Sequence, residues 1–191
     1  MILSRNKIII IGGSAGSFQE VTKILSQLPK DYKYPVVLAL HRLKHVRYGF
    51  VEALSIKSGL PVVEPMDKEN IRPGKVYLAP ANYHLYIELG NTFALSTEEP
   101  VNHSRPGIDL TFITGGYAYK EKAVGVILSG ANKDGALGLK KLKEYGGIAI
   151  VQDPAEAQIK TMPTAALELT PNADFVMKTD DIIKYLISIK D

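Results

Sequence analysis

Three side chains of chemically active type, Ser14, His41 and Asp134, each stand just past a short apolar run. Ser14 lies in Gly12-Gly13-Ser14-Ala15-Gly16, which fits G-x-S-x-G. That pattern sets a serine on a tight strand-to-helix turn where only glycines leave room for the backbone. His41 follows Val36–Leu40 directly, and Asp134 sits in Ser129-Gly130-Ala131-Asn132-Lys133-Asp134-Gly135. A serine, a histidine and an aspartate that converge can serve as nucleophile, general base and orienting group for acyl transfer. A helix opening at Ser17 would aim free N–H groups at a developing oxyanion. Taken singly, each has a plainer reading: a phosphate cradle or simple turn, a packed histidine, a turn aspartate. Their joint position at three strand ends carries the chemical reading. The chain order Ser, His, Asp differs from the Ser, Asp, His of α/β-hydrolases, so this would be a separate solution of the same geometry.

The remaining histidines compete less well. His45 follows His41 by four residues, but the H-x-x-x-H pair lacks the glutamate of H-E-x-x-H and follows a strand end, so no metal site is expected. His84 falls in a sheet-like alternation and reads as structural. His103 lies in a polar loop beside Arg105, where either could line a cleft.

Elements that could position the three side chains alternate along the chain. Ile8–Ile11, Val36–Leu40, Val62-Val63, Lys75–Ala79, Ala123–Leu128 and Ile148–Gln152 read as buried strands. Helical periodicity places Phe18, Val21, Ile24, Leu25 and Leu28 on one face, with Ser17 and Glu20 at capping-box spacing and Pro29 as terminator. Further helices are expected over Tyr48–Ser58, Ile108–Tyr119, Ala136–Tyr145 (stopped by Gly146-Gly147) and Thr161–Leu169, with a last one capped by Thr179. Leu85–Leu89 and Thr92–Ser96 flank Gly90-Asn91 as a β-hairpin. The pattern predicts an α/β fold: a doubly wound, mostly parallel sheet with helices on both faces and an antiparallel hairpin at its edge.

Composition sets the outer bounds. The 191 residues and 20.9 kDa suit one domain, 46% hydrophobic and 23% charged, with a mean hydropathy of +0.01. The formal net charge of +3 is scattered, which gives a nucleic-acid partner little support. The absence of cysteine excludes disulfide and thiolate chemistry. The run Ile8–Ile11 is too short for a membrane span or a signal segment, so a cytoplasmic protein without membrane insertion is expected.

From Ile8 to about Leu186 the chain resembles the methylesterase catalytic domain of the chemotaxis protein-glutamate methylesterases (CheB type). The resemblance rests on ordered blocks: Gly13-Ser14-Ala15-Gly16; Val36–His41; Arg72-Pro73-Gly74-Lys75-Val76-Tyr77-Leu78-Ala79-Pro80 with His84; Arg105-Pro106 with Ile108-Asp109; Gly125–Gly130 with Asp134-Gly135-Ala136; and Gln152-Asp153 with Met162-Pro163. It implies a catalytic triad at Ser14, His41 and Asp134, the three residues already singled out. The chain departs from the family pattern at Ala15, where threonine is usual, at Ser17-Phe18, where Gly-Pro is usual, at Arg42, where methionine is usual, and at Gly130-Ala131-Asn132, where Gly-Met-Gly is usual. Backbone N–H groups at Ala15 and Ala131 can still serve an oxyanion, and Asn132 can adopt a positive φ.

The resulting expectation is a serine hydrolase for γ-glutamyl methyl esters on methylated acidic helices of receptor-type proteins, with glutamine deamidation by the same machinery. No cofactor is expected. The receiver domain common in the family is not expected in this chain, read as one catalytic domain over 1–191, so regulation would fall to a separate protein. Arg42 is expected at the cleft mouth, pairing with acidic groups beside the ester, and Arg105 beside it. Two other classes stay open. One is an NADP-binding Rossmann-like oxidoreductase, with Gly12–Ser17 as a weak dinucleotide turn and Arg42 for a 2′-phosphate. The other is a non-catalytic binding module on the same fold.

Overall fold

The computed structural model of the chain describes residues 6–42 and 49–190. Strands β1 (Ile8–Gly13), β2 (Val36–Leu40), β3 (Val62–Val63) and β4 (Val76–Leu78) make one side of a seven-stranded sheet. After the hairpin β5 (His84–Ile87) and β6 (Phe93–Ser96), strands β7 (Ala123–Ile127), β8 (Ile148–Gln152) and β9 (Phe175–Met177) make the other side. The order is β3-β4-β2-β1-β7-β8-β9 and every pairing is parallel. The chain therefore runs from β1 to β2, out to β3 at the edge and back to β4 between β2 and β3, then returns to β7 beside β1 and winds outward through β8 and β9. The crevice at such a reversal is where open α/β sheets hold their ligands.

Helices cover both faces, as the continuous apolar strands demand. Ile9 and Ile11 point to a layer containing Val21, Ile24 and Leu25 of α1 (Phe18–Gln27), Leu54 of α2 (Phe50–Lys57) and Ile182, Ile183 and Leu186 of α6 (Thr179–Ser188). Ile8 and Ile10 point to the opposite layer, with Ile108 and Phe112 of α3 (Ile108–Tyr119), Leu139 and Leu142 of α4 (Ala136–Glu144) and Met162 and Ala166 of α5 (Thr161–Leu169). Each such fully buried Leu, Ile or Phe stabilises the fold by about 1.5–3 kcal/mol through its loss of apolar surface. Close packing of α3 on α4 depends on Gly138, where a Cβ would come within 2.7 Å of the Asp109 Cα. Among the described residues no helix is long and apolar enough to cross a membrane.

Several local expectations are corrected. The hairpin forms a two-stranded sheet of its own and lies against α3, where Thr111 Oγ1 donates to Leu85 O and Ile87 N donates to Thr114 Oγ1. Its turn sets Asn91 at a positive φ of 64°. The capping box of α1 does not form: Ser17 Oγ donates to Ser14 O, and Glu20 Oε2 is buried without a partner. The N-cap of α6 is Lys178, while Thr179 gives its N–H and hydroxyl to Glu156 Oε2. A further difference is β9, which follows a loop and pairs at the sheet edge; its Phe175 and Val176 are exposed, so no buried apolar run announces it.

Candidate active site

Register places the expected residues at one edge of the sheet. Gly13 pairs with Leu40, and His41 N donates to Gly13 O, so Ser14 and His41 leave adjacent strands side by side. On the other flank Leu128 N donates to Gly12 O and Ser14 N to Ser129 O. The turn after Ser14 is closed by Ser17 N donating to Ser14 O, and it needs Gly16 at φ 83°. A Cβ at Gly16 would also lie 2.7 Å from Ser129 Oγ, so the turn and the loop after β7 touch at a point that admits no side chain.

That loop is held from behind. Ser129 N donates to Gln152 Oε1 and Ser129 Oγ to Ala15 O, while Gly130 N donates to Ile159 O and Met162 N to Gly130 O. Gln152 is in turn fixed by Thr179 Oγ1 at 3.2 Å. The backbone N–H groups of Ala15 and Ala131 make no hydrogen bond among the described residues, and both residues are exposed. They are backbone donors in the turn after Ser14 and in the loop that touches that turn.

The aspartate and the histidine meet. His41 Nε2 lies 2.7 Å from Asp134 Oδ2, with the imidazole 11% exposed and the carboxylate fully buried. An ionised carboxylate only accepts, so Nε2 carries a hydrogen, and in the neutral ring Nδ1 is the free acceptor. Ser104 Oγ and Asn132 Nδ2 each stand 3.4 Å from Nδ1. Ser14 Oγ makes no hydrogen bond among the described residues. Asp134 accepts four N–H groups: His41 Nε2 and Ile108 N (2.7 Å) on Oδ2, Asn102 Nδ2 (3.0 Å) and Asp109 N (3.1 Å) on Oδ1. Burial by itself would raise the Asp134 carboxyl. Donation from His41, Ile108 N, Asn102 and Asp109 N outweighs it and leaves the group below its ordinary range.

Asp109 and Asn102, which nothing local in the sequence marks, complete this cluster. Asp109 Oδ1 accepts Gly135 N at 2.9 Å and Gly138 N at 2.6 Å, and Oδ2 accepts Asn102 Nδ2 at 2.9 Å. Each of the two aspartates thus caps the helix that begins beside the other. Burial pushes the Asp109 carboxyl up, and the nearby Asp134 charge adds to the rise.

Other expected site residues end elsewhere. The Arg42 side chain is 1% exposed, not at an open mouth: Nη2 donates to Glu64 Oε1 and to Ala79 O, and the guanidinium lies over Phe50. It is equally unplaced to meet a 2′-phosphate, as the dinucleotide reading requires. Arg105 Nη1 donates to Thr97 O and Glu98 O, and with Glu64, Asn82 and Tyr83 it lines a cavity of about 450 Å³. Asn132 does not take a positive φ; its Oδ1 instead accepts Asp134 N, and its amide faces His41. His84 is buried and structural, accepting Gly107 N on Nδ1 and donating from Nε2 to Glu99 O. His103 is exposed at φ 62°, and His45 lies outside the described residues. Among the described residues no group of three His, Asp or Glu side chains is arranged for a metal ion.

Residues 9–186 match the family model described as CheB methylesterase. The chain belongs to the CheB methylesterase family. Its fold matches the crystal structure of the Thermotoga maritima CheB methylesterase catalytic domain with a TM-score of 0.90 at 33% identity, covering 96% of this chain and 98% of that one. A Leptospira interrogans protein named for protein-glutamate methylesterase and protein-glutamine glutaminase activities is 43% identical over 95% of this chain and 93% of its own length. The full-length Thermotoga maritima protein-glutamate methylesterase/protein-glutamine glutaminase is 34% identical over 96% of this chain, which spans 54% of that relative.

Proposed function

We propose that this CheB-family chain is a serine hydrolase that demethylates γ-glutamyl methyl esters on acidic protein helices, with Ser14, His41 and Asp134 as its triad. The 2.7 Å contact between His41 Nε2 and Asp134, beside Ser14 on the neighbouring strand end, is the observation that carries this reading. Because Nε2 faces the aspartate, the basic atom is Nδ1. Ser14 Oγ attacks the ester carbonyl as its proton passes to Nδ1, and the oxyanion takes the N–H groups of Ala15 and Ala131. Donors of this type are worth roughly 3 kcal/mol each in the transition state. Collapse breaks the C–O bond, and Nδ1 returns the proton to departing methanol. Water then attacks the acyl-serine by the same route and releases the glutamate carboxylate. A glutamine side chain would react similarly, with ammonia leaving. Ser104 and Asn132 supply polar contacts to Nδ1 that the Ser14 hydroxyl must displace. Arg105 and the cavity beside it suit the polar flank of the helix that carries the ester.

The test is methanol release from a methylated receptor-type helix by the wild-type chain and by Ser14→Ala. Release by the wild type that falls to background in the variant is the expected result. No release from any methyl ester, together with no labelling of Ser14 by a fluorophosphonate, would overturn it.

A further inference from the structure

The triad uses one oxygen of Asp134; the other belongs to a second constellation. Asn102 Nδ2 gives one N–H to Asp134 Oδ1 at 3.0 Å and reaches Asp109 Oδ2 at 2.9 Å. One primary amide has two hydrogens, so the geometry spends both on carboxylates. Those carboxylates are 0% and 6% exposed, whereas Asn102 itself is exposed and lies over them. It holds a left-handed conformation, φ 49°, which asparagine tolerates better than most residues. The turn that carries it is closed by the Val101–Ser104 bridge, and Ser104 Oγ stands 3.4 Å from His41 Nδ1. A four-residue turn therefore meets the imidazole from both sides: through Asp134 at Nε2 and directly at Nδ1.

We infer that Asn102 is a positioning residue for His41, its amide tying Asp109 to Asp134, taking up part of the charge of both carboxylates and keeping Asp134 Oδ2 aimed at the imidazole. Two buried like charges in one site repel each other, and N–H groups donated to them offset that repulsion while both stay charged. Here the N–H groups of Ile108, Asp109, Gly135 and Gly138 already do this, and among the described residues Asn102 is the one donor common to both carboxylates. The titratable groups facing the pair are His41 from the end of β2 and, one hydrogen bond beyond, His84 of β5 through Gly107 N; Lys133 and His103 adjoin it in sequence but are exposed. Without the amide, Asp134 holds its negative charge less well shared and grips a protonated His41 more tightly. The base then stays protonated to higher pH. A merely structural loop contact would do none of this.

The inference rests on His41 as the base, but its first readout does not. NMR titration of the His41 ring is compared in wild type, Asn102→Gly and Asn102→Asp; glycine preserves the positive φ, and aspartate turns the shared donor into a third carboxylate. The expected result is a His41 midpoint raised by about one pH unit in Asn102→Asp and by less in Asn102→Gly, with kcat for a small ester at pH 7 lowered up to about tenfold and KM little changed. Adding Asp109→Asn to Asn102→Gly should move midpoint and kcat back toward wild type, because the new amide Oδ1 still accepts Gly135 N and Gly138 N while the like charge is gone. An unmoved midpoint, with or without a fall in Tm, overturns the inference, as does the absence of rescue. Should neither Asn102 variant fold, Asn102→Ser, which keeps a single hydroxyl donor, is titrated in their place, and an unmoved His41 midpoint there overturns the inference equally. If Ser14→Ala keeps full esterase activity, the triad reading fails while the His41 titrations still decide the role of Asn102.

Discussion

Three helix starts face the candidate site, and they are finished in opposite ways. The first turns of α3 and α4 are closed by carboxylates, Asp134 accepting Ile108 N and Asp109 N, and Asp109 accepting Gly135 N and Gly138 N. The start of α1 is left open: Ser17 turns its hydroxyl back to Ser14 O, and no side chain caps the helix. Free N–H groups carry partial positive charge, and an anion at such an end is stabilised. In α3 and α4 that anion is permanent and belongs to the protein. In the proposed reaction the anion beside α1 is transient, the oxyanion and acyl oxygen formed at Ser14. The difference teaches how one edge of a sheet can both anchor a carboxylate and keep room for a charge that appears only during reaction.

Breaking the chemistry beside the open end should have the largest effect. Ser14→Ala or His41→Ala should each lower esterase kcat by roughly 10⁴–10⁶, and the double variant should be scarcely worse than either, since residues that act as a unit are not additive. Steady-state rates on a small methyl ester check this, and multiplicative losses would separate the two residues. Next comes the closed end. Asp134→Asn must offer an amide hydrogen where His41 or Ile108 N now donates, leaving buried donors opposed; a stability loss of about 2–3 kcal/mol at pH 7 accompanies a large fall in kcat. The Asp134 carboxyl lies below its ordinary value of 3.8 when folded, so its contribution is present above that value and lost as pH falls through the lower folded one. The stability gap between wild type and Asp134→Asn, measured by urea unfolding, should therefore be widest near neutrality and shrink below about pH 4. Asp109, raised by burial, acts with the opposite sign, since its ionised form is the costly one in the fold.

The smallest effect sharpens the comparison by standing outside it. Arg42 reaches neither helix start; it packs over Phe50 and pairs with Glu64. Arg42→Ala should cost about 1 kcal/mol of stability through its lost stem packing and cation–π contact. Any change in KM should be equal for charged and neutral esters, and a charge-selective change would return Arg42 to the substrate path.

Much of this was legible in the sequence because buried parallel strands write themselves as apolar runs. β1, β2, β7 and β8 could be read almost to the residue, and with them the three strand ends that hold Ser14, His41 and Asp134. What was hidden depends on contacts made at a distance. β9 is short, at the sheet edge and exposed, so burial leaves no mark on it. Ser17 and Glu20 have capping-box spacing, yet the tight turn at Ser14 takes the hydroxyl first. Asp109 stands in the first turn of α3 and in a block that carries the family resemblance, but its place in the chain is silent about Gly135 and Gly138. Arg42 was expected to project outward because it follows a strand end; the acceptors at Glu64 and Ala79 come from separate strand ends that only the fold brings near.

The central place of β1 has a kinetic consequence. Its partner on one side, β2, is the next strand in the chain, but on the other side Ile8 must find Ala123. That ladder closes a very long loop, and non-local pairings of this kind form late and slowly. His41 can come beside Ser14 early, yet Asp134 and Ala131 arrive only with the late ladder. During refolding, hydrolytic activity should therefore return no sooner than the last cooperative step, so a half-assembled chain emerging during synthesis would carry a serine and a histidine but no working hydrolase.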